Sequence, residues 1–310
     1  MTRFLAIGLA VLVFVAEAVA ESRHVLKGRI IRALAIEPGN PDHILVGQKA
    51  GKPGSGLVFK SLDGGKSWRT QNGNAPLAPA AADVQAVAAL SRTALLAGTW
   101  KYGAFASRNG GGTFAALAGA LGTDVRDFAL SGGTAYAATA TKGVFESRDN
   151  GISWTRIGGR ALPFLWSLTS GPDALYASSP QEGVFALQDG AWQHIFDQDK
   201  IYAAAAPAEP EGEIALAGET GLYLGRGGNW RKLVTGEKFA EVLAAPNGAL
   251  LAGSWQDGLA VITPSGKVSR RILRGKAVIH LKIAGSFLYA GTWGDGLHIL
   301  PLSEILPKTP

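Results

Sequence analysis

From about residue 30 to residue 300, short runs of alternating apolar and small or polar residues follow one another, separated by glycine-rich turns. Alternation with a period of two marks strands whose two faces meet different surroundings. One run recurs as ILVG (Ile44 to Gly47), LLAGTW (Leu95 to Trp100), AYAATA (Ala135 to Ala140), LYASS (Leu175 to Ser179), ALAGE (Ala215 to Glu219), LLAGSW (Leu250 to Trp255) and LYAGTW (Leu288 to Trp293). A glycine and an apolar residue follow each copy, at Gly56, Gly103, Gly143, Gly183, Gly221, Gly258 and Gly296, with spacings of 47, 40, 40, 38, 37 and 38 residues. Repeats of this period are the mark of an array built from one supersecondary unit.

Each unit divides into four strands. In the third copy they are Val125 to Leu130, Ala135 to Ala138, Val144 to Ser147 and Ser153 to Ile157. Units of that length and strand count are propeller blades, whereas a β-solenoid, the competing arrangement, uses shorter repeats and needs no ring closure. The expected fold is all-β: a seven-bladed β-propeller with four-stranded blades. A ring must also protect the edge between its first and last blades. The seventh unit ends near Leu300 before a fourth strand, while His24 to Lys27 precede the first inner strand, Ile30 to Ile36. The N-terminal strand is therefore expected to close the last blade, in a monomer.

Composition supports this reading. The chain has 310 residues, 47% of them hydrophobic, with 42 glycines and only 17% charged residues, as a turn-rich β fold requires. The net charge of +6 is scattered, with only Arg270, Arg271 and Arg274 grouped, so a nucleic-acid partner is not expected. Cysteine is absent, which excludes disulfides, thiolate metal sites and a thiol nucleophile; no cofactor is expected. Arg3, the apolar run Phe4 to Ala16 and Ala18-Val19-Ala20 before Glu21 form an export signal with a cut after Ala20. An uncleaved anchor is the competing reading. Residues 1–20 are thus a signal peptide and 21–310 one propeller domain, placed in a periplasmic or extracellular space.

Three turns fit the template Ser-x-Asp-x-Gly-x-x-Trp, with Asn109 and Phe114 as the departures in the middle copy: SLDGGKSW (Ser61 to Trp68), SRNGGGTF (Ser107 to Phe114) and SRDNGISW (Ser147 to Trp154). Asp63, Asn109 and Asp149 supply short acceptors for backbone N–H groups across the turn. Gly65, Gly111 and Gly151 supply a left-handed conformation, and Trp68, Phe114 and Trp154 an aromatic to pack between blades. EF-hand spacing is missing, so these aspartates read as structural and not as metal ligands. The turns resemble those of bacterial neuraminidase repeat, or Asp-box, propellers, a superfamily covering sialidases, some glucanases, sortilin-like receptors and photosystem II assembly-factor-like proteins. GNPDHILVG (Gly39 to Gly47) running into SLDGGKSW looks most like the non-enzymatic members. Later copies degrade to DGAW (Asp189 to Trp192) and GGNW (Gly227 to Trp230), and the last two lack the turn.

The other face carries the irregular residues. Trp100, Trp255 and Trp293 occupy one position in TWKYG, SWQDG and TWGDG, and are expected to gather on one side of the rim as a contact surface. The first residues of the inner strands, Arg32, Gln85, Arg126, Trp166, Tyr202, Ala240 and Ile279, point toward the channel mouth, with Asp127, Glu241 and His280 one residue on. A sialidase-like site would draw on Arg32, Arg126, Tyr202, Glu241 and Asp127, but a third inner-strand arginine is missing. P-loop, GxSxG and HExxH patterns are absent, and His24, His43, His194, His280 and His298 are too dispersed to define a metal site. The expectation is an exported, non-catalytic propeller that binds a protein partner through Trp100, Trp255, Trp293, Trp166, Tyr202, Arg126, Arg32 and His280. The alternative is a carbohydrate-binding or carbohydrate-active propeller, a glycoside hydrolase if an enzyme, and a purely structural scaffold is the third reading.

Overall fold

A computed structural model describes residues 21–49, 57–71, 83–117, 119, 121–159 and 161–307. The export segment and Gly56 lie outside the described residues. Seven four-stranded antiparallel sheets form the blades of a propeller. Their inner strands are Ile30–Glu37, Val84–Ala89, Val125–Ser131, Ser167–Ser170, Ile201–Ala205, Phe239–Ala244 and Val278–Ala284. The recurring apolar run is the second strand of every blade, from Asn40–Lys49 in blade one to Phe287–Thr292 in blade seven. Among the described residues no helix is long and apolar enough to cross a membrane.

Blade seven takes its outer strand from the other end of the chain. Its order is Arg23–Val25, Leu297–Pro301, Phe287–Thr292 and Val278–Ala284, with Arg23 opposite Ile299, His24 opposite His298 and Val25 opposite Leu297. The closing strand thus starts before His24 and stops short of Lys27. Leu26 and Gly28 adopt positive φ, and the Arg29 N–H reaches Leu26 O, turning the chain into the first inner strand. The outer strand of blade three is shorter than its pattern implies, Thr155–Arg156, because its preceding turn extends through Trp154. A short helix, Leu302–Ile305, follows the last strand and buries Leu302 and Ile305 against blades six and seven; the strand repeat carries no trace of it.

The hydrophobic core is divided into clusters between neighbouring blades. One joins Val87 and Leu95 to Leu45, the next Leu96 to Phe128 and Phe145, and so on to the cluster that joins Ile31 and Ile44 of blade one to Tyr289 and Ile299 of blade seven. This explains the glycine near the end of the apolar run in blades one, two, six and seven. A Cβ on Gly47 would stand 2.8 Å from Val84 Cγ1, and one on Gly98 2.8 Å from Val125 Cγ1. At the closing seam, one on Gly291 would stand 2.8 Å from Ile31 Cγ2. In blades one, two, six and seven the second strand therefore seats the first residues of the next blade's inner strand.

Those inner strands share a local irregularity. The register shifts at Arg32, Gln85, Arg126, Tyr202, Ala240 and Ile279, where the inner strand holds one residue more than its partner. In blade four Trp166 takes that place: its N–H donates to Ser178 O at 2.8 Å, although Ser167 is the residue paired with Ser178. A β-bulge bends its strand and re-aims a side chain. Repeated around the ring, it turns one side chain per blade toward the axis.

Candidate functional site

The bulge residues line the mouth of the central channel, with Asp127, Glu241, His280 and Lys282 behind them and Trp255 at the rim. The enclosed space is about 60 Å³, room for a few waters and not for a sugar ring. A larger ligand has to lie across the mouth. There, aromatic rings and cations form a closed circuit. Arg126 stands 5.4 Å and Arg32 5.7 Å from the ring centre of Trp166. Arg32 is also 5.6 Å from Trp293, which meets Trp255 at 5.6 Å between ring centroids. Lys238 lies 5.7 Å from Trp255 and 4.6 Å from Tyr202, and Tyr202 returns to Trp166 edge-on at 5.8 Å. Lys49 adds a further cation 4.6 Å from Trp293.

Of the three rim tryptophans, the structure brings two together. Trp255 and Trp293 belong to adjacent blades, whereas Trp100 is separated from Trp293 by blade one and lies instead under Lys101 at 4.6 Å. Trp100 is 44% exposed and Trp293 37%. The backbone N–H groups of Trp100, Trp255 and Trp293 donate to Asp83 O, Lys238 O and Ala277 O at 3.2, 3.0 and 2.9 Å. These bonds tie each tryptophan loop to the connection leading into the same blade, so the indoles rest on fixed backbone.

Acidic side chains hold the cations in place. Asp124 accepts from Arg126 Nη2 at 2.8 Å, Gln85 Oε1 accepts from Arg126 Nη1 at 3.1 Å, and Asp83 stands 3.7 Å from Arg32 Nε. Burial lowers the Arg32 pKa and Arg126 adds to this, against the pull of Asp83. Glu219 accepts from the Tyr202 hydroxyl and lies 2.8 Å from Lys238 Nζ. Burial and the hydrogen bond to Glu219 raise the Tyr202 pKa. Deeper in the channel, burial pushes Asp127 up to about 6 and Glu241 up to about 7, despite the nearby Lys282. Burial, with the charges of Arg32 and Lys282, pushes His280 down to about 3. Asp127 also bridges two blades, its oxygens accepting the N–H groups of Phe128 and Leu168, both at 2.8 Å.

No protein-family pattern matches the chain, and neither does any curated protein. Solved structures are similar in fold. YCF48 bound to D1 peptide superposes with a TM-score of 0.71 at 12% identity, covering 91% of this chain and 96% of that one. YCF48 from Cyanidioschyzon merolae gives a TM-score of 0.71 at 14% identity, covering 92% and 100%. An ancestral GH74 enzyme gives 0.67 at 17% identity, covering 87% of this chain and 44% of that one. These likenesses show the β-propeller fold.

The three aspartate or asparagine turns lie on the opposite face and repeat the same bonds. The N–H groups of Gly65, Gly111 and Gly151 donate to the hydroxyls of Ser61, Ser107 and Ser147, each at 2.8 Å. Asp63, Asn109 and Asp149 accept the N–H groups of Ser67, Thr113 and Ser153, each at 2.9 Å. Trp68, Phe114 and Trp154 lie against cores between blades. Sequence reasoning missed Lys238, Glu219 and Lys49, which come from outside the inner-strand starts. It also missed the meeting of His24, Asp295 and His298, which only the closing-strand register brings about.

Proposed function

We propose that this protein is an exported, non-catalytic propeller of the Asp-box superfamily that binds an extended, carboxylate-bearing segment of a protein partner across its channel mouth. The circuit of rings and cations carries this reading. Flat apolar faces interleaved with guanidinium and ammonium groups suit a peptide backbone with acidic side chains or a free carboxyl end. That YCF48, similar in fold, has been solved with a peptide supports a ligand of this class. Export rests on the pattern of residues 1–20, superfamily membership on the repeated turns, and a monomeric state on a ring closed by its own N-terminal strand.

The test is selection of a displayed random peptide library on the immobilised protein. Acidic or C-terminal carboxylate sequences should be enriched by the wild type, and enrichment should vanish in a folded Arg32→Ala, Trp293→Ala variant. No enrichment, or enrichment that survives the substitutions, rejects the reading.

Carbohydrate binding is the second reading, because Arg32, Arg126, Tyr202, Glu241 and Asp127 all line the same mouth. Against glycoside cleavage, the Tyr202 hydroxyl is shifted away from ionisation and both Asp127 oxygens are engaged by backbone. Turnover of a sialoside or glucan in a substrate screen would replace the peptide reading.

A further inference from the structure

The seam that closes the ring gathers three metal-ligating side chains from opposite ends of the chain. His24 stands opposite His298 in the closing pair, and their imidazoles stack with centroids 4.1 Å apart and planes within 10°. Asp295, in the loop before the third strand of blade seven, faces both rings. Its Oδ2 is 2.8 Å from His298 Nε2 and 3.7 Å from His24 Nε2. Lys276 Nζ approaches the same oxygen at 2.9 Å. His298 and Lys276 thus converge on one carboxylate oxygen, while His24 Nε2 is hydrogen-bonded to the main-chain oxygen of the same residue.

We propose that His24, Asp295 and His298 bind a divalent transition ion of the zinc class, which ties the closing strand to blade seven. Zinc takes imidazole nitrogen and carboxylate oxygen at about 2.0–2.2 Å in tetrahedral geometry, which places two ligands on one ion about 3.3 Å apart. The two Nε2–Oδ2 separations fall on either side of that value, and the three donor atoms lie within 4.8 Å of one another. To enclose an ion, the two imidazoles must swing out of their stack so that both Nε2 atoms face it, and His24 Nε2 must leave the main-chain oxygen of Asp295. Two imidazoles and a carboxylate also match the donor preference of zinc, copper and nickel better than that of calcium or magnesium.

The carboxylate is fixed from behind. Thr292 Oγ1 accepts the Asp295 N–H at 3.0 Å and donates to Gly296 O at 2.7 Å, and the Gly296 N–H donates to Arg29 O at 3.0 Å. His24 and Asp295 each keep 32% of their side-chain surface open, so the site has an entrance. Lys276 acts as the resident cation, and the metal displaces it from Asp295.

The experiment is calorimetric titration of zinc chloride into metal-stripped protein carrying no polyhistidine tag, with cobalt chloride followed by visible absorption in parallel. One ion per chain is expected, with cobalt d–d bands of a four- or five-coordinate site. His24→Gln and His298→Gln, separately, should each weaken zinc binding at least about tenfold. Lys276→Met should tighten it, and His194→Gln, in blade four, should leave it unchanged. Zinc should raise the melting midpoint of the wild type and not of His24→Gln. His24 lies on the short outermost strand, so that variant keeps the test readable if His298→Gln fails to fold. Absence of uptake by the wild type at about 100 µM zinc, or wild-type affinity in His24→Gln, overturns the proposal.

Discussion

Asp63 holds its turn through a handful of bonds, accepting the Ser67 N–H at 2.9 Å and the Ser61 hydroxyl at 2.7 Å. Burial by itself would raise its pKa, but those bonds and one from the Ser67 hydroxyl outweigh it and hold the carboxyl at about 2. With the folded value below the ordinary 3.8, its stabilisation is complete above that value and is lost as pH falls through about 2. Asn109 makes the same main-chain bond with an amide oxygen. Asp63→Ala is therefore expected to cost about 1–2 kcal/mol in urea unfolding at pH 7, and Asp63→Asn less; equal losses would show that charge, not the acceptor, holds the turn. The channel acids behave in the opposite sense. Glu241 is raised to about 7 from an ordinary 4.5, so the stability tied to its protonated form is full below 4.5 and lost as pH rises through 7. Glu241→Gln should raise the melting temperature more at pH 8 than at pH 5. His280, pushed down to about 3 from 6.5, withdraws stability as pH falls from 6.5 toward 3. Melts of His280→Gln across that window should show a shallower acid loss than the wild type, and parallel curves would mean that the ring is not held neutral.

At the scale of the strand, the glycine near the end of the apolar run in blades one, two, six and seven is a packing requirement. On Gly98 a Cβ would meet Val125 Cγ1 at 2.8 Å and Val125 O at 3.0 Å, and the main-chain atom cannot swing aside. Gly98→Ala should therefore cost about 1–3 kcal/mol by urea unfolding, although alanine suits a buried strand. The same requirement helped make the blades legible, because four of the seven second strands carry a glycine under this constraint. The bulges were not legible as such: an extra residue at Arg32 or Tyr202 interrupts pairing without disturbing the apolar pattern around it. The two degraded turns were visible only as loss of the template, yet they are replaced by tight hairpins. Asp189-Gly190 and Gly227-Gly228 all take positive φ between directly paired neighbours, Gln188 with Ala191 and Arg226 with Asn229. That is the geometry of a two-residue turn whose twist matches the strands. At the channel mouth, the aromatic and arginine members could be read from repeat position. Lys238 could not, since it lies in a connecting loop outside the recurring positions, and Glu219 departs from its copies, standing where blades two, six and seven carry Thr99, Ser254 and Thr292.

For the whole ring, closure depends on a strand of three residues paired across more than 270 residues of chain. Closure entropy rises only with the logarithm of loop length, so this pairing costs about 1.7 kcal/mol more than joining strands one repeat apart. The seam offsets that with several interactions. Arg23 Nη2 and the Tyr289 hydroxyl both donate to Gly64 O, at 3.0 and 3.1 Å, binding the closing strand and blade seven to the aspartate turn of blade one. The Arg23 guanidinium also lies 5.3 Å from the Phe287 ring, and the core between blades seven and one includes Val25, Leu26 and Trp68. Removing residues 21–26 deletes the Arg23 bond and the apolar cover, and leaves Leu297–Pro301 as an unpaired edge, which invites pairing with another chain. The shortened protein should lose at least about 2 kcal/mol, seen as a melting midpoint lower by several degrees, and should self-associate in light scattering. A synthetic peptide of residues 21–29, added in trans, should restore both the midpoint and the monomer. A shortened chain that melts with the wild type and stays monomeric would mean that blade interfaces alone hold the ring closed.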